Sequence, residues 1–134
     1  MFVGTSMEGR VAAASSFVSD DLVTWRGTGV AASRPSEDRA PVWTGSLWEC
    51  PQIIELDGRA VLVTSVWDAD ELHYAAYAVG DLRDGGFVPR AWGRLTYGDS
   101  YYAPSFSSTA LGCRASCSGC VASPTATRGG WART

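Results

Sequence analysis

Apolar and polar positions alternate in short runs along most of the chain, and the runs stop at small clusters of Asp, Glu and Gly. "MFVGTS" (1–6), "RVAAASSFV" (10–18), "CPQIIEL" (50–56), "RAVLVTSVW" (59–67), "LHYAAYAV" (72–79) and "FVPRAWGRL" (87–95) combine β-branched and aromatic residues with a two-residue period, which predicts strands. Between them lie Met7-Glu8-Gly9, Asp57-Gly58, Asp68-Ala69-Asp70 and Asp84-Gly85-Gly86. Asp and Gly supply turn chemistry, and Asp57-Gly58 is the clearest hairpin signal because that pair favours the type I′ turn that matches strand twist. "AAASSF" and "AAYAV" have helical composition, but their brevity and β-rich flanks predict strands there too.

The strands repeat. "FVGTSMEGRVAAASSF" (2–17) and "LVTSVWDADELHYAAYAV" (62–79) each run from an apolar stretch through an acidic turn to a second stretch rich in Ala. "SDDLVTW" follows the first unit and "GDLRDGGFVPRAW" the second, each with Asp-Leu and then a Trp. Units of this length built of antiparallel strands have the pattern of propeller blades, and about two fit in this chain. Residues 107–134 read differently: mostly Ser, Ala, Thr, Gly, Arg and Cys, with no strand period. The organisation expected is a propeller portion over 1–106 and a low-complexity, irregular tail over 107–134, disordered or the product of a shifted reading frame.

Composition narrows the function. A length of 134 residues allows at most one ordinary domain, and a formal charge of −3 with scattered signs provides no basic stripe for nucleic acid. No apolar run approaches a membrane span, and the first ten residues lack the pattern of a signal peptide, so no membrane partner and a cytoplasmic location are expected. Six Trp and five Tyr are suited to stacking on sugar rings, and equally to filling sheet cores. Cys113, Cys117 and Cys120 have the spacing of an iron–sulfur motif, but only fourteen residues follow Cys120, too few for the barrel that chemistry needs, and a zinc site lacks a fourth ligand. No cofactor and no metal are expected.

The chemistry concentrates in "WTGSLWECPQ" (43–52), where Glu49 is the one charged residue. A carboxyl walled by Trp48 and Pro51 is expected to be partly desolvated, which favours its protonated form and suits a general acid. A loop glutamate with its head in water is the alternative.

"SDDLVTW" (19–25), "WTGSLWECPQIIELDGRAVLVTSVW" (43–67), "LHYAAYAVG" (72–80) and "GRLTYGDSYYAPSF" (93–106) together resemble glycoside hydrolase family 32, the β-fructofuranosidases: invertases, levanases and inulinases. The resemblance implies an all-β chain forming about two blades of a five-bladed β-propeller. It implies retaining hydrolysis of fructofuranosides such as sucrose or fructans, with Glu49 matching the acid/base residue of the family's Glu-Cys pair and Cys50 its neighbour. Tyr102-Ala103 matches a second family mark, with Ser100 where many members have Asp. The candidate site is therefore Glu49 as catalytic acid/base, with Trp48, Cys50, Asp68 and Tyr102 binding substrate; Trp67 is a further candidate for stacking. Asp70 and Glu71 lie with Asp68 in the loop before His73, where solvated turn residues are the alternative reading of all three, and of these only Asp68 is taken as a candidate. The family's nucleophile lies in an Asn-Asp-Pro motif and its stabilising Asp in an Arg-Asp-Pro motif, and neither triplet occurs here; Arg39-Ala40-Pro41 lacks the Asp. The chain alone is therefore expected to be inactive, with a carbohydrate as its only partner. The alternative is a non-catalytic carbohydrate-binding or pseudogene-like propeller fragment.

Overall fold

The computed structural model describes residues 1–98, 101–109 and 112–116, the last eight of the strand residues after 106 by backbone alone. Nine strands run in chain order among the described residues: β1 (Phe2–Met7), β2 (Val11–Val18), β3 (Arg26–Pro35), β4 (Leu47–Leu56), β5 (Arg59–Asp68), β6 (Glu71–Arg83), β7 (Gly86–Arg94), β8 (Ser105–Thr109) and β9 (Gly112–Ser116). All pairings are antiparallel between chain neighbours, giving sheets β1-β2-β3, β4-β5-β6-β7 and the hairpin β8-β9.

The acidic turns direct this topology. Asp57 and Gly58 have φ of 50° and 70°, Ala69 and Asp70 49° and 61°, and Asp84 and Gly85 50° and 79°. Each pair of left-handed residues closes a two-residue hairpin with the twist its strands require. Glu8 and Gly9, at 52° and 65°, close β1 onto β2.

The structure differs from the sequence reading in two places. β3, "RGTGVAASRP", has one Val and two Gly, and only Ala31, Ala32 and Arg34 are buried; it is a strand because it pairs along β2, through two register shifts. Hydrogen bonding to a formed neighbour supplies what its weak propensity does not. The second difference is the hairpin β8-β9, which pairs Ser105–Thr109 with Gly112–Ser116 where no strand is expected after 106. Ser100, Cys117, Cys120 and the rest of the tail lie outside the described residues.

The core lies between the two larger sheets. Trp48, Leu62, Ala60, Ala78 and Phe87 of the four-stranded sheet meet Ala12, Ala14 and Ala32 of the three-stranded one, with Ile53 and Trp92 against the cluster. The alanines of the three-stranded sheet leave room for the large side chains of the four-stranded one. β1 and β4 meet closely at Gly4, where a Cβ would stand 2.0 Å from the Trp48 carbonyl oxygen. Arg34 crosses the same gap, its guanidinium 5.0 Å from the Trp92 ring and donating to the Asp38 and Ala40 carbonyls.

The loop between β2 and β3 is ordered by one carboxylate. Asp21 Oδ1 accepts from the Val23 and Thr24 amides (2.9 and 2.7 Å) and from Ser19 Oγ (3.0 Å), while Ser19 Oγ accepts from the Leu22 amide. The bonds from Thr24, then Val23, then Ser19 hold its pKa down to about 2. A carboxyl so lowered supports the loop fully above the ordinary carboxylate pKa and ceases to as pH falls through its own. We expect the Val23 and Thr24 amide resonances to move together with a midpoint near pH 2, not near 4, in an NMR titration.

Candidate active site

The site begins with a fault in the β4-β5 ladder. Glu49 pairs with Ser65 and Gln52 with Val63, so Cys50 and Pro51 together face Thr64 alone. Pro51 has no N–H to contribute and Cys50 takes a left-handed φ of 49°, which is the backbone of a bulge. Thr64, fully buried, donates its hydroxyl to the Glu49 carbonyl at 3.1 Å and pins the bulge from the neighbouring strand.

Strand alternation then separates Trp48 from Glu49. Trp48 is fully buried in the inter-sheet core, tilted against Trp92 at 5.5 Å, with its indole N–H on the Thr44 carbonyl. It therefore has no face left for a sugar ring, and it does not wall the carboxyl as the sequence suggested. Its part is to anchor the strand.

Glu49, half-buried, meets the segment that runs into β8 instead. Tyr102 donates its hydroxyl to Glu49 Oε2 at 2.7 Å, and the exposed Cys50 thiol lies 3.7 Å from the same phenol oxygen as a donor. The three form a short relay, Cys50 to Tyr102 to Glu49, across 53 positions of sequence. Neighbours fix the phenol: the Ala103 amide donates to Ser65 Oγ (2.9 Å), Gln52 Nε2 donates to the Pro104 carbonyl (2.6 Å), and Trp67 meets the Tyr102 ring edge-on at 6.2 Å. The hydrogen bond to Glu49, then burial, then Cys50 push the Tyr102 pKa well above that of a free phenol. A neutral phenol is thus secured as a donor to the carboxyl, whose Oε1 accepts no hydrogen bond among the described residues. Such a carboxyl has a fixed aim and one oxygen free to carry a proton to a substrate.

Tyr102→Phe tests the relay. In an ultraviolet titration of the phenols the variant is expected to lose one of the tyrosines that ionise late. Because the folded-state pKa is raised, the stability tied to it is present below the ordinary phenol pKa and is lost as pH climbs beyond it. The wild type should therefore lose its advantage over the variant at strongly alkaline pH.

The other candidates fall as follows. Asp68 ends β5 opposite Glu71 and makes no hydrogen bond or ion pair to Glu49, Cys50 or Tyr102 among the described residues. His73 stacks edge-on with Trp43 at 4.9 Å, away from that relay. Gln52, Ser65 and Thr64, which shape the site, carried no signal in the sequence; the Cys-Pro pair was the one visible mark of the bulge.

The comparisons agree with this architecture. The family model for the glycosyl hydrolases family 32 N-terminal domain matches residues 1–133. The fold is similar to that of the GH32 β-fructofuranosidase BmSUC1 of Bombyx mori, with a TM-score of 0.67 and 21% identity over 81% of this chain and 24% of that one. A mutant of the same enzyme in complex with sucrose matches equally. A GH32 enzyme from Bifidobacterium adolescentis matches with a TM-score of 0.57 and 23% identity, over 76% of this chain and 17% of that one. No curated protein matches the sequence. The chain thus spans about a quarter or less of the length of these enzymes. Its two up-and-down sheets are a portion of the family's β-propeller. By the match along nearly its whole length and by the fold, the chain belongs to glycoside hydrolase family 32.

Proposed function

We propose that this chain contributes the acid/base half of a retaining β-fructofuranosidase site, with Glu49 as the group that moves the proton. The observation that carries the reading is the Tyr102–Glu49 hydrogen bond, which fixes the carboxyl of the family's Glu-Cys pair at a bulge. In the forward step Glu49 protonates the glycosidic oxygen as the bond to the fructosyl carbon breaks. In the second step the same carboxylate takes a proton from the water that releases fructose.

Retention requires a second carboxylate about 5–5.5 Å away as nucleophile. The sequence contains no Asn-Asp-Pro and no Arg-Asp-Pro triplet to supply the nucleophile or the stabilising acid in the family's manner. A proton donor alone contributes roughly 10²–10⁴-fold, a minor part of what glycoside hydrolysis needs. The chain by itself is therefore assigned sugar binding on the Glu49 face and no measurable turnover.

Sucrose is the probe with a counterpart in a relative, since one BmSUC1 structure holds it. We expect sucrose to change the Trp emission of the chain, and Glu49→Gln to weaken that response at unchanged melting temperature. Where any fructose release is detected, Glu49→Gln should reduce it at least about 100-fold. Fructose release that survives the substitution, or an emission blind to every fructoside, sinks the assignment.

A further inference from the structure

At Gly4 the three-stranded sheet bears directly on the backbone of the strand that carries Glu49. A Cβ there would stand 2.0 Å from the Trp48 carbonyl oxygen, 2.7 Å from its carbonyl carbon and 3.1 Å from the Glu49 Cα. Gly4 is not among the residues with positive φ, so an alanine could adopt its backbone conformation. Only the contact excludes a side chain.

The two strands do not resist this contact equally. β1 keeps an unbroken register with β2 from Phe2↔Ser16 to Met7↔Val11, whereas the ladder of β4 with β5 is interrupted between Glu49 and Gln52. Pressure between them is therefore relieved in β4, at the peptide that joins Trp48 to Glu49. Trp48 cannot follow, because its indole is enclosed against Trp92 and bonded to the Thr44 carbonyl. The displacement falls on Glu49, and with it on the carboxyl that Tyr102 holds at 2.7 Å.

We propose that Gly4 is a positioning residue for Glu49: its bare Cα lets β1 rest on the peptide between Trp48 and Glu49 and so sets where the carboxyl meets Tyr102. The consequence for catalysis rests on the reading of Glu49 as the group that moves the proton, while the contact itself rests on geometry. A misplacement of about 1 Å in a reacting group costs on the order of 10²-fold in rate, so one methyl group on the neighbouring sheet is felt in the chemistry.

Gly80 provides a matched control. A Cβ there would stand 2.1 Å from the Val88 carbonyl oxygen, and Gly80 too is not among the residues with positive φ. It pairs with Ala60, toward the other end of β5 from the Ser65 that faces Glu49. Gly4→Ala is expected to lose one late-ionising tyrosine in an ultraviolet titration, the same one that Tyr102→Phe removes, so that the double variant loses no second. The sucrose needed for half of the Trp emission change should rise at least about tenfold. Gly80→Ala, equally crowded, keeps both properties. Should Gly4→Ala not fold, the native glycine still decides: Tyr102→Phe, which releases the carboxyl, is expected to move the Gly4 α-proton resonances and leave those of Gly80 in place. The proposal is overturned by a folded Gly4→Ala chain that retains every late phenol, by a Gly80→Ala chain that loses one as well, or by Gly4 resonances indifferent to Tyr102→Phe. A wild type blind to sucrose whose late phenol still depends on Gly4 overturns the reading of Glu49 and upholds the role of Gly4.

Discussion

Trp48→Ala is expected to destabilise the fold by about 3–5 kcal/mol, read as a fall in the urea midpoint at constant m-value. The indole is fully buried, packs on Trp92 and sits at the centre of a cluster whose partners are mostly alanine. Alanines cannot swing into a vacated volume, because they have no rotamers with which to do so. The cavity therefore stays open, which places the cost at the upper end of large-to-small substitutions. The Thr44 carbonyl also loses its donor. Against a typical total of about 5–15 kcal/mol for a domain, this change alone brings the chain near its threshold. Trp48→Phe, which keeps most of the ring volume, should recover more than half of the loss; equal effects of Ala and Phe would show that packing is not what the residue supplies.

Gly45→Ala is expected to cost about 3 kcal/mol, from two sources that a control separates. Gly45 has φ +69°, where an alanine is disfavoured by roughly 1–2 kcal/mol. Its Cβ would also stand 2.3 Å from the Trp67 carbonyl oxygen and 2.9 Å from Val66 Cγ1, and relieving such contacts costs about another 1–3 kcal/mol. Gly58 has φ +70° with nothing within 4 Å of its Cβ position. Gly58→Ala should thus report the backbone preference alone, and the difference in melting free energy between the two variants measures the close approach of the β4 entry to β5. Equal losses would mean that the approach is slack.

What the sequence made legible follows from how local each signal is. The acidic turns were readable because Asp-Gly and its relatives meet a conformational need within two residues, and the structure has left-handed pairs at each of those turns. The runs between them were readable from their β-branched and aromatic residues, whether the strand is buried on both faces, as β5 is, or only half-buried, as β1 is. β3 was not, because Ala31, Ala32 and Arg34 are buried by β2 and the opposite sheet rather than by any pattern of their own. β8 and β9, with their run of Ser, Thr and Gly, fail the same test. At the site, the family motif led to Glu49 and Tyr102 separately. Their hydrogen bond depends on the bulge register and on Ser65 and Gln52 holding the Tyr102 segment, and such pairing over 53 positions leaves no trace in local pattern. Trp48 was open to both stacking and core roles because a single step along a strand reverses the face, and the side that becomes core is settled only when the second sheet arrives.

The bulge at Cys50 and Pro51 makes the two faces of β4 mechanically dependent. Since Trp48 and Glu49 are consecutive, any rotation of the strand that relaxes the indole in its socket swings the carboxyl away from the phenol by the same angle. Selection for a tighter interior and selection for the direction of a proton act here on one degree of freedom, so repacking around the indole should shift sugar response before it lowers the melting point.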